Sequence, residues 1–474
     1  MKKVCVRFAP SPTGYLHIGS LRTALFNWLW ARKNNGKFIL RVEDTDQERY
    51  VEGAVENIQE SLDWYGLDID EGPIFQSERL DIYKKHIEQL LDSDNAYHCF
   101  CTSERLDEVR KVQKANKQAT KYDGLCRSLS KVEVEKRISN GESHVIRLKV
   151  PQDGETEFED MIYGKIKVKN KNIDDQVLMK SDGFPTYHLA NVVDDYKMEV
   201  SHVIRAEEWL PSTPKHIILY KAFDWPMPVF AHLPMVLGMD RSKLSKRHGA
   251  VASLDYKKMG YLPEAVLNFI SLLGWNPKTE KELFTISELI KEFDLLKVNK
   301  SSAIFNLEKL DWLNGNYIRQ MDLDELVDRS KEFLINIPNN DKTKKAIELG
   351  RERIKNIHEL KDAIEFFFLD ELDYDSSILV SKKDTQEDTE KSLKLSLEVL
   401  NNITNSDYIT ERLKILFEGM IKKNNLNNRV VLWPLRIAVT GLEKSPGVFE
   451  VMEVLGKNDT LKRVEKALKM LQNN

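Results

Sequence analysis

The segment His17-Ile-Gly-Ser20 combines residue types that can bind phosphate. It follows a short apolar stretch and a proline-rich turn, and it precedes a run with helical spacing. A helix amino terminus is partly positive, Gly19 lets a base or phosphate approach the backbone, and His17 can donate a hydrogen bond to a phosphate oxygen. Taken alone, these four residues also fit a helix start whose histidine only caps or packs.

A second polar segment, Lys243-Leu-Ser-Lys246-Arg247-His248-Gly249, supplies three cations. A lysine ammonium is a point charge that can follow phosphates as they leave, so the pattern indicates a loop that closes on a triphosphate. The glycine spacing of a Walker A loop is missing. The alternative interpretation is a solvated basic turn.

The elements around His17 predict a βαβ unit. Residues 3–8 are typical of a strand, a helix is predicted from about residue 18, and Gly36 is expected to end it. A second strand at 38–43 and a helix at 51–65 follow. Ligands bind beyond the carboxyl ends of parallel strands, and both Ala9–His17 and Glu43–Asp46 are expected at that edge.

The sequence pattern changes twice along the rest of the chain. Residues 98–175 are lysine-rich, with an alternating run at 144–150, and predict an inserted α+β module. Segments 184–188 and 200–205 then indicate a return to the sheet. Beyond about residue 250 the pattern is mainly helical, and the polar run 381–390 is interpreted as a linker or loop. Amphipathic helical stretches are predicted at 354–368, 393–400, 407–421 and 461–471.

Composition limits the class of protein. The 474 residues exceed the size of one core, which predicts about three folding units. Hydrophobic residues at 41% and charged residues at 31% are typical of a globular protein. We expect a cytoplasmic protein without a membrane partner, because neither a secretory signal nor a long apolar run is apparent and the four cysteines suit a reducing compartment. The net charge of −4 leaves room for local positive surfaces among 71 basic residues.

Together, the two polar segments resemble the HIGH and KMSKS signatures of class I aminoacyl-tRNA synthetases, with Ser20, Leu244 and Arg247 in place of the usual letters. Other segments are similar to the glutamyl branch of that family: Arg7-Phe-Ala-Pro-Ser-Pro-Thr-Gly14, Arg41-Val-Glu-Asp-Thr-Asp46, Tyr187-His-Leu-Ala-Asn-Val-Val-Asp-Asp195 and Val203-Ile-Arg-Ala-Glu-Glu-Trp209. Residues 305–314 resemble its tRNA stem-contact region, and 432–436 and 445–449 its C-terminal helical domain.

The resemblance implies an α/β fold in which a Rossmann-like parallel-sheet catalytic domain is interrupted by an α+β insertion. A mainly helical stem-contact region and an all-α anticodon-binding domain would follow. The implied limits are 1–97 and 181–250 for the two halves of the catalytic domain, 98–180 for an acceptor-end module, 251–320 for the stem-contact region and 321–474 for the anticodon domain.

The resemblance also implies roles for individual residues. Arg7 and Arg205 would bind the side-chain carboxylate of glutamate, because guanidinium geometry matches a carboxylate. Glu43 would face the substrate's α-ammonium. The expected glutamate-binding residues are Arg7, Ala9, Ser11, Glu43, Tyr187, Asn191 and Arg205. Singly, Tyr187 could belong to the core, Asn191 could be a cap and Glu43 could form an ordinary salt bridge.

Nucleotide contacts are expected on the other side of the site. The expected ATP-binding residues are His17, Gly19, Ser20, Glu208, Trp209, Lys243 and Lys246, of which His17, Lys243 and Lys246 are the candidate catalytic residues. A carboxylate is already a nucleophile, so catalysis requires in-line positioning and stabilisation of phosphate charge rather than a strong base. Mg²⁺ is expected to accompany ATP as a substrate.

Cys99, Cys101 and Cys126 are similar to the zinc-binding insertion of some family members. Ser128 stands where the fourth ligand would fall, and a neutral serine is a poor zinc ligand. Closing the site would need His98, water or another segment. The alternative is a relic site whose reduced cysteines only pack.

The resemblance therefore implies an enzyme that activates glutamate with ATP and transfers it to the terminal ribose of tRNA(Glu). We expect it to act as a monomer. Rival interpretations are a relaxed enzyme that also charges tRNA(Gln), a glutaminyl enzyme with a β-barrel anticodon module, a shortened paralogue without an anticodon domain, and an inactive tRNA-binding paralogue. The residues that read the anticodon cannot be named from the sequence.

Overall fold

The computed structural model describes residues 3–244 and 251–473. The strands are β1 Cys5–Phe8, β2 Lys37–Val42, β3 Glu71–Phe75, β4 Ala96–Cys99, β5 Val145–Leu148, β6 Glu155–Asp160, β7 Gly164–Lys169, β8 Val177–Met179, β9 His202–Ala206, β10 Val229–Leu233, β11 Val236–Leu237 and β12 Ala303–Ile304.

The helices up to the middle of the chain are α1 Ile18–Lys33, α2 Ala54–Trp64, α3 Leu80–Asp92, α4 Ser103–Ala115, α5 Lys131–Ser139, α6 Tyr187–Lys197, α7 Thr213–Ala222, α8 Asp255–Lys258, α9 Pro263–Ser271 and α10 Ile286–Glu292. Those that follow are α11 Leu307–Gln320, α12 Leu323–Ser330, α13 Asp341–Gly350, α14 Leu360–Ile364, α15 Gln386–Asn402, α16 Thr410–Lys423, α17 Asn428–Thr440, α18 Val448–Leu455 and α19 Lys457–Gln472.

The chain forms two compact units. The first contains the residues up to Tyr256 together with Val266–Leu307, and the second contains Lys257–Ala265 together with the residues from Glu308 onward. Among the described residues, none of the helices combines the length and the apolar character that crossing a membrane would require.

The first unit is built around parallel strands, as the βαβ pattern predicted. β1, β2 and β3 pair in parallel, with Arg7 opposite Ile39 and Phe8 opposite Leu40. β9 and β10 are also parallel and belong to a second sheet in the order β7-β6-β10-β9. The amide of Ser201 donates to the carbonyl oxygen of Cys5 at 2.8 Å, which brings β9 beside β1.

Helix α1 is buried nearly all round. Leu21, Leu25 and Leu29 are fully buried, and so is Phe26, whose ring lies 5.0 Å from that of Phe293 near α10. A helix that is apolar on every side belongs inside a core. This explains why the run after His17 contains apolar residues beyond a single helical face.

The inserted module holds an antiparallel sheet of β4, β5 and β8, which agrees with the predicted α+β insertion. The hairpin β6–β7 departs from that prediction, because β6 also pairs in parallel with β10 of the second sheet. Burial alternates along β6, which directs Thr156, Phe158 and Asp160 inward. The insertion therefore extends the sheet that follows it in sequence.

The predictions for segments 184–188 and 381–390 were wrong in detail. Segment 184–188 does not return to the parallel sheet but leads into α6 at Tyr187. The predicted loop 381–390 ends early, because α15 begins at Gln386. The hydroxyl of Thr385 accepts a hydrogen bond from the amide of Asp388 at 3.1 Å, and two acidic residues in the first turn suit the helix dipole.

The second unit has its own core. Residues 308–473, as described, contain α-helices and short 3₁₀ turns but no strand. Leu393, Phe417, Leu435 and Val464, from α15, α16, α17 and α19, are fully buried within one apolar cluster. The stretch predicted as a helix at 354–368 is instead the short helix α14 flanked by 3₁₀ turns.

Candidate active site

A cavity of about 380 Å³ lies at the carboxyl ends of β1, β2 and β9. The turn after β1 and the first turns of α1 and α6 complete its wall. This is the edge of a parallel sheet at which ligands commonly bind. Ten of the residues predicted for the site line it: Arg7, Ala9, Ser11, His17, Ser20, Glu43, Tyr187, Arg205, Glu208 and Trp209.

His17 caps α1 and faces the cavity. Its Nδ1 accepts hydrogen bonds from the amides of Gly19 at 3.1 Å and Ser20 at 3.2 Å, so the ring proton sits on Nε2. Burial lowers the pKa of His17; Glu208 opposes this effect and Lys243 adds to it. Nε2 lies 3.1 Å from the hydroxyl of Ser20, so the Nε2–H of the neutral ring donates to that hydroxyl or to a phosphate oxygen that takes its place.

Two buried arginines share one carboxylate behind the wall of the cavity. Arg7 donates through Nε to Asp195 at 2.9 Å, and Arg41 donates to the same oxygen at 2.7 Å. The amide oxygen of Asn191 accepts from Arg7 at 3.1 Å and from Arg41 at 2.9 Å. Burial would raise the pKa of Asp195, but Arg7 and Arg41 outweigh it and lower that pKa.

Glu43 is the carboxylate that lines the cavity beside this cluster. Its Oε1 accepts from Arg41 at 3.3 Å, and its backbone amide donates to the carbonyl of Pro10 at 3.0 Å. Burial raises the pKa of Glu43, while Arg41 and Arg7 oppose the rise. The residue therefore provides an acceptor for a cationic group of a ligand.

Arg205, in β9, is a cation in the cavity wall. It is 5% exposed, and its Nη1 donates to the hydroxyl of Tyr187 at 2.9 Å. The Tyr187 ring lies 4.1 Å from the indole of Trp209, which also lines the cavity. None of the ion pairs among the described residues involves Arg205, so its charge can meet an anionic ligand.

Asn191, Gly19 and Lys243, the other predicted residues that the structure describes, lie outside the cavity wall. Asn191 is 2% exposed and holds Arg7 and Arg41 from behind. Gly19 presents its amide to His17, and a Cβ there would come within 3.1 Å of that ring. Lys243 is exposed and bridges to Leu237. Lys246 lies outside the described residues.

Sequence reasoning assigned no role to Arg41 or Asp195, although both lie in the segments it singled out. Arg41 is fully buried in β2, and Asp195 is 1% exposed in α6. A charged residue among the apolar residues of a buried strand requires a partner, which is the signal that could have identified Arg41.

The three predicted cysteines come together. The sulfur atoms of Cys99, Cys101 and Cys126 all lie within 4.8 Å of one another. The hydroxyl of Tyr122 lies 3.4 Å from the sulfur of Cys99 and 3.5 Å from that of Cys101. The three thiols supply three of the four ligands of a structural zinc site, and the hydroxyl of Tyr122 beside them is a neutral oxygen because burial raises its pKa. His98 is outside this cluster, and its ring packs 4.8 Å from that of His144.

Comparison with known proteins agrees with this arrangement. Residues 3–312 match the model of the tRNA synthetases class I (E and Q) catalytic domain, and residues 325–468 match an anticodon binding domain. The sheet, the helix that begins at His17 and the cavity define a class I synthetase fold. The chain belongs to the class I tRNA synthetases of the E and Q type.

Individual proteins similar to this chain belong to the glutamate branch of that family. The chain is 48% identical to a glutamate–tRNA ligase of Dehalococcoides mccartyi, over 99% of this chain and 98% of that protein. It is 45% identical to glutamate–tRNA ligase 1 of Caldanaerobacter subterraneus, over 100% and 99%. A glutamate tRNA ligase from Elizabethkingia meningosepticum, solved in complex with its amino acid, superposes with a TM-score of 0.91 at 38% identity, covering 99% of this chain and all of the other.

Proposed function

We propose that this protein is a glutamate–tRNA ligase that activates L-glutamate with ATP and transfers it to the 3′-terminal ribose of tRNA(Glu). The observation that carries the proposal is the pairing of charges in the cavity. Arg205 offers a cation without a carboxylate in direct contact among the described residues, and Glu43 offers a carboxylate. Full-length similarity to glutamate–tRNA ligases supports it.

The cavity suits a substrate with two carboxylates and one ammonium. Arg205 and Tyr187 would bind the side-chain carboxylate of glutamate, with Arg7 contributing its charge from its own place in the cavity wall. Glu43 would accept from the α-ammonium. The α-carboxylate is then left for the end of the cavity that contains His17 and the first turn of α1.

Activation would proceed by in-line attack. An oxygen of the α-carboxylate forms a bond to the α-phosphorus of ATP, the bond from that phosphorus to the bridging oxygen breaks, and pyrophosphate leaves with its electron pair. His17 and Ser20, which line the cavity, would donate to the phosphate oxygens through Nε2–H and the hydroxyl group. Lys243 and Lys246 would follow the departing pyrophosphate, with Mg²⁺ entering as part of the ATP substrate.

Transfer completes the reaction. The hydroxyl oxygen of the terminal ribose attacks the carbonyl carbon of glutamyl-adenylate, AMP leaves, and the proton of the hydroxyl passes to the departing phosphate. The five predicted segments, from 1–97 to 321–474, remain our proposed domain limits, with the last reading the anticodon. The match of 325–468 to an anticodon binding domain supports that last assignment.

The cysteine cluster has a supporting role in this proposal. Cys99, Cys101 and Cys126, with the hydroxyl of Tyr122, would hold one zinc ion. When bound, the ion supplies a structural cross-link between β4 and the 3₁₀ turn Leu125–Ser128. No step of the reaction passes through it.

Two rival functions lose support. A glutaminyl enzyme with a β-barrel module does not suit residues 308–473, in which the described part contains helices without strands. A shortened paralogue without an anticodon domain does not suit the match of 325–468.

The proposal can be tested by ATP–pyrophosphate exchange. We expect exchange with glutamate in the presence of tRNA, and none with aspartate, whose carboxylate would fall short of Arg205. Complete inactivity of well-folded protein would favour the inactive tRNA-binding paralogue. Faster exchange with glutamine than with glutamate would contradict the assignment of Arg205.

A further inference from the structure

The guanidinium of Arg205 is held on three sides by uncharged groups. Its Nε donates to Nε2 of His232 at 3.1 Å, and its Nη2 donates to the hydroxyl of Thr213 at 2.9 Å. Nδ1 of His216 lies 3.3 Å from both terminal nitrogens, and Tyr187 takes the remaining donor on the cavity side. The direction of the guanidinium is therefore fixed before a substrate arrives.

A buried carboxylate orients the first of these histidines. Oδ2 of Asp160 accepts from Nδ1 of His232 at 2.6 Å and from the amide of the same residue at 3.2 Å. Oδ1 of Asp160 accepts the amides of Ile162 and Tyr163, each at 2.9 Å. Asp160 is 1% exposed and His232 is fully buried. The carboxylate is thus anchored by the backbone and has one side-chain partner.

These contacts fix the tautomer of His232. Nε of arginine can only donate, so Nε2 of His232 must accept, and the single ring proton must be on Nδ1, facing Asp160. Burial lowers the pKa of His232, Asp160 opposes this effect and Arg205 adds to it. Asp160 thus fixes the orientation of the neutral His232 ring, and the ring in turn fixes the orientation of the Arg205 guanidinium.

The groups that fix the position of the Arg205 guanidinium do not neutralise its charge. Arg7 has a carboxylate in direct contact, Asp195 at 2.9 Å, whereas an imidazole stands between Arg205 and Asp160. A carboxylate in direct contact with Arg205 would neutralise the charge that an anionic ligand needs. With a neutral ring between them, the guanidinium is fixed and keeps its positive charge, which attracts an anionic ligand to the cavity beside Tyr187.

We propose that Asp160 and His232 are positioning residues that hold Arg205 for the side-chain carboxylate of the substrate, and that they thereby set the preference for glutamate over glutamine. This inference rests on the proposed function. Neither residue lines the cavity, so both act through Arg205 and through Thr213, whose hydroxyl lies 3.1 Å from Nε2 of His232 and accepts from Arg205. The second sheet supplies the pair, because Asp160 of β6 lies in register with Phe230 of β10, two residues before His232.

The substitution Asp160→Asn directly tests whether Asp160 orients Arg205 through His232. The amide nitrogen of asparagine would donate to Nδ1 of His232, so the ring proton would have to move to Nε2. Nε2–H and the Nε–H of Arg205 would then be two donors facing each other, and the hydrogen bond between the two residues would be lost. We expect the KM for glutamate in tRNA charging to rise roughly tenfold or more, as for loss of a hydrogen bond to a charged group. The KM for ATP should stay within about twofold, because the nucleotide contacts are elsewhere. The ratio of kcat/KM for glutamate to that for glutamine should fall.

Two changes at His232 provide a rescue test. Glutamine carries an acceptor and a donor at nearly the spacing of the two ring nitrogens, so His232→Gln should keep most of the affinity for glutamate. His232→Phe keeps a ring without either group and should behave like Asp160→Asn. This pair decides the question even if Asp160→Asn fails to fold.

Asp175→Asn is the matched control. Asp175 is a buried carboxylate that accepts from Tyr97 and Arg127 and does not contact Arg205. It should lower the melting temperature without changing the KM for glutamate. Variants of Asp160 and His232 that raise both KM values equally, or lower only the melting temperature, would overturn the inference while leaving the proposed function intact. A wild-type protein that does not use glutamate would overturn both.

Discussion

His17 has two roles that a single substitution would normally remove together. Its Nδ1 accepts from the amides of Gly19 and Ser20, which caps α1, and its Nε2 lies 3.1 Å from the hydroxyl of Ser20, at the wall of the cavity. The sequence left open whether the histidine only caps the helix or also binds phosphate. In the structure the cap is what fixes the ring proton on the side of the cavity, so the first role supports the second.

His17→Ser separates the two roles. A serine hydroxyl caps a helix well but cannot reach where the imidazole Nε2 lies. We expect the melting temperature to change little and the kcat of glutamate activation to fall by about 10² to 10³, as for loss of a donor that stabilises transition-state charge. His17→Ala should lose about 1 kcal/mol of stability in addition. Near-normal kcat in His17→Ser would mean that the residue is only a cap.

At the scale of elements, the predicted strands and helices around the cavity were the most accurate. β1, α1, β2 and α2 lie within a few residues of their predicted positions, because burial and periodicity are local properties of the chain. The predicted loop 381–390 was wrong in its second half, because the cap at Thr385 outweighs the polar composition. Local composition predicts a loop poorly where a cap begins a helix.

Contacts between distant elements could not be predicted. Asp160 and His232 are 72 residues apart and meet only because β6 pairs with β10. Tyr122 reaches the cysteine sulfurs from a lysine-rich stretch without a regular pattern. The cavity residues were predicted from their motifs, while the groups that hold Arg205 and Arg41 behind them depend on tertiary packing.

The inserted module gives an element-scale test of the metal site. We expect the purified protein to contain about one zinc per chain, because its three close thiols supply three ligands and a neutral oxygen, from water or from Tyr122, can take the fourth position. Tyr122→Phe should weaken retention of zinc during dialysis against a chelator, and Cys126→Ser should abolish it. Removal of zinc should lower the melting temperature, since a structural ion contributes folding energy.

Cys5→Ser is the control for this measurement. Cys5 is buried in β1, away from the cluster, and its thiol donates to the carbonyl of Met198 at 3.4 Å. The variant should retain zinc as the wild type does. Zinc-free protein whose melting temperature is unaffected by added zinc would show that the cysteines only pack.

At the scale of the whole molecule, the two compact units carry different features. The unit around the parallel sheet carries the cavity, and the second unit carries a helical core that matches an anticodon binding domain. The net charge of −4 predicts no general attraction to nucleic acid, so tRNA would bind through local basic surfaces. Selection of the tRNA is therefore a property of the full chain.

The central claim is tested most directly by ATP-dependent attachment of labelled glutamate to purified tRNA(Glu) and tRNA(Gln). We expect tRNA(Glu) to be charged, and Lys246→Ala to be strongly impaired because a cation for the departing pyrophosphate is lost. Lys84→Ala, which removes an exposed lysine of α3, should charge normally. Charging of tRNA(Gln) as well would define a relaxed enzyme, and failure to charge either tRNA by folded protein would contradict the account.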